Sequence, residues 1–122
     1  MDLNLRGRTA LITGASKGIG RAIAAVLARE GCNLILVSRT AADLEAARQE
    51  IAASHNVSVV THALDLSANP AIKELVAAHP DIDILVNNAG AIPGGRLSEI
   101  DDTRWRQSWD LKVFGYINMT RA

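Results

Sequence analysis

The stretch Thr9-Ala10-Leu11-Ile12-Thr13-Gly14-Ala15-Ser16-Lys17-Gly18-Ile19-Gly20 decides how the chain folds. Its first five residues are apolar or β-branched and read as a buried strand. Glycines follow at 14, 18 and 20, and Ile19, Ile23, Val26 and Leu27 recur at helical spacing, with Gly31 as a helix stop. A strand that turns through glycines into a helix is suited to an anion. Glycine lets the backbone turn tightly and approach a pyrophosphate without Cβ clashes, while the helix start offers free N–H groups and the positive end of its dipole. The flanking strand and helix separate this reading from an ordinary tight turn.

The same alternation continues downstream. Residues 34–37 (LILV) read as a second strand, and Thr40-x-x-Asp43 as a capping box opening a helix with the apolar stripe Leu44, Ala47 and Ile51. Residues 57–61 (VSVVT) form a third strand. Pro70 stands near the start of the next helix, where its missing N–H costs little, and Ile72, Leu75 and Val76 face inward. A fourth strand at 82–86 (IDILV) leads into an Asn-Asn-Ala-Gly turn and a Pro-Gly-Gly loop at 93–95. A fourth helix is expected from near Asp101, with Trp105, Trp109, Val113 and Ile117 as its packing stripe. Continuous apolar strands separated by helices imply a parallel sheet covered on both faces, and right-handed crossovers make it a doubly wound α/β fold.

Composition narrows the setting. With 122 residues there is room for one domain, and 48% apolar with 21% charged residues is a globular balance. Thirteen Lys and Arg against 13 Asp and Glu leave no net field to recruit nucleic acid or an anionic membrane. Apolar runs are strand-sized, so no membrane span is expected, and Met1-Asp2 does not open a signal peptide. Cys32, the single cysteine, excludes an internal disulfide and fits a cytoplasmic location as a small packing residue. His55, His62 and His79 share no metal-ligand spacing and lie in different elements, so no metal is expected and they read as surface or strand-end residues.

The Gly14-x-x-x-Gly18-x-Gly20 spacing, Asp65-Leu66 and Asn87-Asn88-Ala89-Gly90 together resemble the short-chain dehydrogenase/reductase family, in the family's order and over nearly the whole chain. Other dinucleotide-binding proteins space their glycines differently. The resemblance implies a Rossmann-type sheet, here the βαβαβαβα portion of a larger three-layer sandwich. It also implies that Gly14, Ser16, Lys17, Gly18 and Ile19, with Gly20 in the same turn, surround the phosphates and ribose of the adenosine half of a nicotinamide dinucleotide. Asp65 would accept from the adenine amino group beside the Leu66 backbone, and Asn87, Ala89 and Gly90 would line the path to the nicotinamide-side ribose. A sheet-end turn is the plainer reading of Asn87-Asn88, and a helix-flanking cap that of Asp65.

The end of the second strand bears on cofactor choice. An acid there would accept from a ribose 2′-hydroxyl and repel a 2′-phosphate, whereas arginine would pair with that phosphate. The chain has Ser38-Arg39-Thr40, no acid before Asp43, and a second cation at Lys17. NADP is therefore expected, with NAD the alternative.

By the resemblance, the family transfers hydride between nicotinamide and a small carbonyl or alcohol. A tyrosine and a lysine four residues on provide acid–base chemistry, and a serine orients the carbonyl; a nearby cation is needed because an unperturbed tyrosine has a pKa of about 10. None of the three is assignable here: the one tyrosine, Tyr116, is followed four residues on by Thr120, and packing is its expected role. Lys112 falls where many members carry an asparagine of a proton relay. It could bring charge to that relay, reach a carboxylate such as Asp110, displace a water, or serve as a structural helix lysine. The loop at 91–97 is expected to border the pocket.

The helical pattern of Trp105 to Ile117 runs on to Ala122, and the fourth strand lacks an outer neighbour. The chain, residues 1–122, thus reads as a cofactor-binding domain truncated after its fourth helix, from a parent that is an NADP-dependent oxidoreductase and a homo-oligomer. Alone, the 122-residue chain is expected to be inactive. The alternative is a dinucleotide-binding or sensor module without catalysis.

Overall fold

A computed structural model describes residues 1–90 and 94–122 and sets β1 (Thr9–Thr13) inside a four-stranded sheet. The chain proceeds through α1 (Gly18–Arg29), β2 (Asn33–Ser38), α2 (Ala41–Ser54), β3 (Val59–Ala63), α3 (Asn69–Ala78) and β4 (Ile84–Val86). Strand order is β3-β2-β1-β4 and every pairing is parallel. The chain steps outward from β1 to β3, then crosses back over β1 to β4. That reversal opens a crevice at the carboxyl ends of β1 and β4, where ligands bind in open α/β sheets.

Alternation along the strands divides the core in two. Ala10, Ile12, Leu34 and Leu36 face α1 and α2, meeting Ala24, Ala28, Leu44, Ala47 and Ile51. Leu11, Ile35 and Val37 face the other way, onto Ile72 and Leu75 of α3 and onto Leu66 and Met119. Burial on both sides explains why these strands are apolar throughout, and the doubly wound class expected from the pattern is the one observed. Cys32 is buried, its thiol pushed up by burial and by the negative charges of Glu30 and Asp83.

Several local expectations need correction. Helix α1 does not bury Ile19 or Val26, which are 74% and 47% exposed. Its inward row is Gly20, Ala24 and Ala28, with Ile23 and Leu27 at the margins. Small residues every fourth position let this helix lie close to the sheet, and a Cβ at Gly20 would overlap the Gly14 carbonyl oxygen and stand 2.6 Å from Asn88 Nδ2. Thr40 does precede α2, but its side chain makes no capping bond. β3 begins at Val59 rather than 57, because its ladder with β2 runs from Leu34↔Val59 to Ser38↔Ala63. β4 shortens to three residues, and the preceding Asp83 instead accepts from the Thr9 N–H at 2.9 Å.

After a 3-10 turn at Leu97–Glu99, α4 (Asp102–Trp109), a π turn (Asp110–Phe114) and α5 (Gly115–Arg121) follow one another without a break. The expected start near Asp101 holds, since its carboxylate accepts from the Arg104 N–H at 2.8 Å. The expected stripe does not: Trp109 and Ile117 are half exposed. The inward row is Leu111, Gly115 and Met119, and the extra residue of the π turn changes which row faces the sheet. Gly115 selects that row, because a Cβ there would come within 3.2 Å of the Leu66 carbonyl oxygen. Residues 91–93 of the expected loops at 91–97 and 93–95 lie outside the described residues. Among the described residues, no helix is long and apolar enough to cross a membrane.

Gly20→Ala should destabilise the protein by about 1–3 kcal/mol even though alanine favours helix, because the methyl group meets backbone. A lower urea midpoint at an unchanged slope is the expected reading, and an unchanged or higher midpoint would contradict the close approach.

Candidate functional site

The crevice is organised by Thr13, the last residue of β1. Its side-chain oxygen accepts from the N–H groups of Asn88 and Ala89, both at 2.9 Å, and its hydroxyl donates to the Val86 carbonyl at 3.3 Å. Asn88 returns the connection, donating through Nδ2 to the carbonyl oxygens of Thr13 and Gly14, each at 3.2 Å. Thr13 is 1% exposed, so removing its hydroxyl would leave two inward N–H groups unpaired at a cost of about 1–3 kcal/mol each.

Around this clamp the glycine turn is shaped by positive φ at Gly14 (+64°) and Gly18 (+60°). A Cβ on Gly14 would lie 3.0 Å from Ala89 Cα. Lys17 precedes α1 in an extended conformation with no side-chain capping bond, so the first amides of the helix are left for another acceptor. Ser16 is 5% exposed and accepts a 3.0 Å hydrogen bond from the Ser38 hydroxyl, which couples the turn to the end of β2.

These pieces border an open cavity of about 380 Å³. Of the residues singled out in the sequence, Gly14, Ser16, Lys17, Ile19, Ser38, Arg39, Leu66, Ala89 and Gly90 line it. Val37, Thr40, Leu64, Asn88 and Leu111 line it as well and were not foreseen. Asn88 stands beside Asn87 and Thr40 beside Arg39, so neighbouring motifs could have found them; nothing local marks Leu111. Gly18, Gly20, Asp65 and Asn87 do not line the cavity. Gly18 begins α1, and Gly20 lies beneath the turn beside Asn88. Asn87 turns toward α5, donating to the Thr120 hydroxyl at 3.1 Å, and its buried Oδ1 has no hydrogen-bond partner among the described residues.

The chain matches the family model described as short chain dehydrogenase over residues 8–122. It belongs to the short-chain dehydrogenase family. An uncharacterized oxidoreductase, YvaG, of Bacillus subtilis (strain 168) is 36% identical over 122 residues, covering 99% of this chain and 46% of the relative. The solved L-sorbose reductase of Gluconobacter frateurii, complexed with NADPH and L-sorbose, superposes with a TM-score of 0.90 at 33% identity, covering 99% of this chain and 48% of that one. A metagenomic short-chain oxidoreductase in complex with NADP gives a TM-score of 0.86 at 36% identity, with 96% and 55% covered. This short-chain dehydrogenase sequence thus spans about half the length of the relatives it matches.

Three further residues, Asp65, Lys112 and Tyr116, show how environment assigns roles. The Asp65 carboxylate accepts from the Ser67 N–H at 3.0 Å and from its hydroxyl at 2.7 Å. Those bonds, helped by the Arg39 charge, hold its pKa below the ordinary carboxylate value. Lys112 sits in the π turn with its side chain over Gly90: Cδ would be 3.6 Å, and Nζ 3.9 Å, from a Cβ placed there. It forms no salt bridge with Asp110 or any other described residue. Tyr116 is partly buried, and that burial raises its pKa.

Because the folded-state pKa of Asp65 is lowered, its contribution to stability is present above the unfolded value and lost as pH falls through the folded one. Asp65→Asn should therefore destabilise at about pH 5, with the gap to wild type closing toward about pH 2. Urea midpoints of both proteins across that window provide the check; a gap that does not close would contradict the assigned bonds.

Proposed function

We propose that the chain is the cofactor-binding portion of an oxidoreductase that uses NADP in preference to NAD and acts on a small carbonyl or alcohol. One observation carries the choice of cofactor: Ser16, Lys17, Ser38, Arg39 and Thr40 line one cavity, and the end of β2 supplies no carboxylate to it. Two cations and three hydroxyl side chains suit a 2′-phosphate, and an acid that would repel one is missing from that position. The solved neighbours carrying NADPH and NADP support the same reading.

The cradle also fits a dinucleotide in shape. Gly14 lets the turn close onto Ala89 and Asn88, and the uncapped start of α1 offers amides to a pyrophosphate. When bound, the cofactor supplies or accepts the hydride. In this reading Gly14, Ser16, Lys17, Gly18, Ile19 and Gly20 hold the phosphates and ribose, Ser38 and Arg39 hold the 2′-phosphate, and Asp65 and Leu66 flank the adenine. Asn87, Ala89 and Gly90 guide the path toward the reacting end. Trp109, Phe114 and Ile117, each about half exposed, give the parent a surface for self-association.

Arg39→Asp should lower the NADPH-to-NADH affinity ratio by about tenfold to a hundredfold. Fluorescence titration of both cofactors measures it, and an unchanged ratio, or a wild-type preference for NADH, would refute the assignment.

Lys112 is assigned to the catalytic end of the same crevice, beside Gly90, where its ammonium adds charge near the reacting groups. Lys112→Asn in the full-length protein should shift the pH profile of turnover while leaving the NADPH dissociation constant within about twofold. Matching profiles would remove any role for the lysine in the reaction.

A further inference from the structure

His62 and His79 are 17 residues apart, yet the fold brings their rings together. His62 lies on β3 in register with Val37, on the sheet face that meets Ile72 and Leu75. His79 follows the last turn of α3, its N–H donating to the Val76 carbonyl at 3.1 Å. The two Nε2 atoms meet head-on at 2.7 Å, with ring planes at 80° and centroids separated by 4.9 Å. Both residues are partly buried, and neither ring has another hydrogen-bond partner among the described residues.

Such a bond needs one Nε2 that carries hydrogen and one that does not. Two neutral rings provide it as opposite tautomers, the donor with its proton on Nε2 and the acceptor with its proton on Nδ1. A first added proton goes to the donor's Nδ1 and leaves the bond in place, now charge-assisted. A second has only the acceptor's Nε2 left. There it takes the lone pair on which the bond depends and sets two N–H groups and two positive charges face to face. Burial first, and the charge of His79 second, hold the His62 pKa below its ordinary value. The surrounding elements do not offset this. α3 carries Lys73 and Glu74, the turn after it Asp81 and Asp83, the β3–α3 connection Asp65, and α2 Asp43, Glu45, Arg48 and Glu50, while β2 carries no charge. None forms a salt bridge with either imidazole among the described residues. Asp65 is engaged by Ser67, Glu45 by Arg48 and Glu50 by Arg21. Asp81 shares with His79 an open cavity of about 220 Å³, which brings solvent to the His79 side of the pair.

We propose that His62 and His79 form a proton-operated clasp between β3 and the end of α3, closed with up to one added proton and opened by the second. β3 is the outer strand of the described sheet, paired there with β2 alone, so this tie to α3 matters for its hold. Leu64 stands two residues beyond His62; its N–H donates to the Ser38 carbonyl at 2.9 Å, and with Leu66 it lines the crevice. Opening the clasp therefore loosens that wall of the crevice as pH falls.

The test uses the intact protein without ligand. Nitrogen NMR at about pH 8 should find the two rings as opposite tautomers, and the pair should titrate in two macroscopic steps at least about one pH unit apart. In His79→Gln the His62 ring should titrate closer to the ordinary 6.5. A histidine whose folded-state pKa is lowered contributes stability that is present above its unfolded value and lost as pH falls through the folded one, a window above that of Asp65. The wild-type urea midpoint should accordingly fall between about pH 7.5 and about pH 5. His62→Gln and His79→Gln should each flatten that fall by at least about half, and His55→Gln should leave it unchanged. Amide protection of Leu64 should drop by about threefold or more over the same interval in wild type and stay level in both variants. The tautomer and titration readouts hold on wild type even if a variant fails to fold. Both rings in one tautomer, a single shared titration step, or a midpoint slope unchanged in both variants would overturn the clasp. Leu64 protection that ignores the pair would overturn its link to the crevice.

Discussion

Thr13 carries a constraint on which the rest of the site depends. Two parallel strands, β1 and β4, are hydrogen-bonded neighbours whose chain segments then diverge, one into the glycine turn and the other into the Asn87–Gly90 segment. Backbone groups beyond the last rung of a sheet have no ladder partner and must be satisfied some other way. The Thr13 hydroxyl does this for two N–H groups of the β4 exit, and the Asn88 amide does it for two carbonyls of the β1 exit. The two diverging segments are thereby fixed relative to each other, so the crevice between them is held at a set width without a ligand.

Close packing of α1 follows from the same arrangement. The helix must begin right after the turn and still reach the sheet, so its contact row is Gly20, Ala24 and Ala28 rather than the larger residues around it. A longer side chain at Gly20 would press on the Gly14 carbonyl and the Asn88 amide, the groups that set the turn. On the opposite face, Gly115 has the corresponding role against the Leu66 carbonyl, and the π turn before it brings Leu111 to the cavity and Lys112 over Gly90. Each glycine allows a helix to approach a segment that borders the crevice.

Electrostatics add selectivity to that shape. The chain as a whole has no net charge, yet Lys17 and Arg39 both face one cavity, and Asp65, the nearby acid, is already engaged by Ser67. A local excess of positive charge inside a neutral protein favours an anionic group at one point without drawing polyanions to the entire surface. The Ser16–Ser38 hydroxyl pair beside those cations offers further oxygens for a phosphate to bond.

Much of this was legible in the linear chain. Continuous apolar strands, the glycine spacing and Ser38-Arg39 are local patterns, and the strand and helix periods, the backbone freedom of glycine and the sign of a side chain act over a few residues. The fold class and most of the cavity lining followed from them. Other features depended on contacts between distant segments. Whether Ile19 or Ala24 faces the sheet turns on how closely α1 approaches it, and the row chosen by the last helix turns on a π turn and on Leu66. The roles of Asn87 and Asn88, adjacent and identical, diverge because alternation points one toward α5 and the other toward the glycine turn. The meeting of His62 with His79, whose Nε2 atoms are 2.7 Å apart, required the crossover that carries the chain back across the sheet from β3 to β4. Sequence determined the glycine turn and the charges around it, because each is a property of a short segment; tertiary structure alone decided what closes over that turn, because that is set by which segments the sheet makes neighbours.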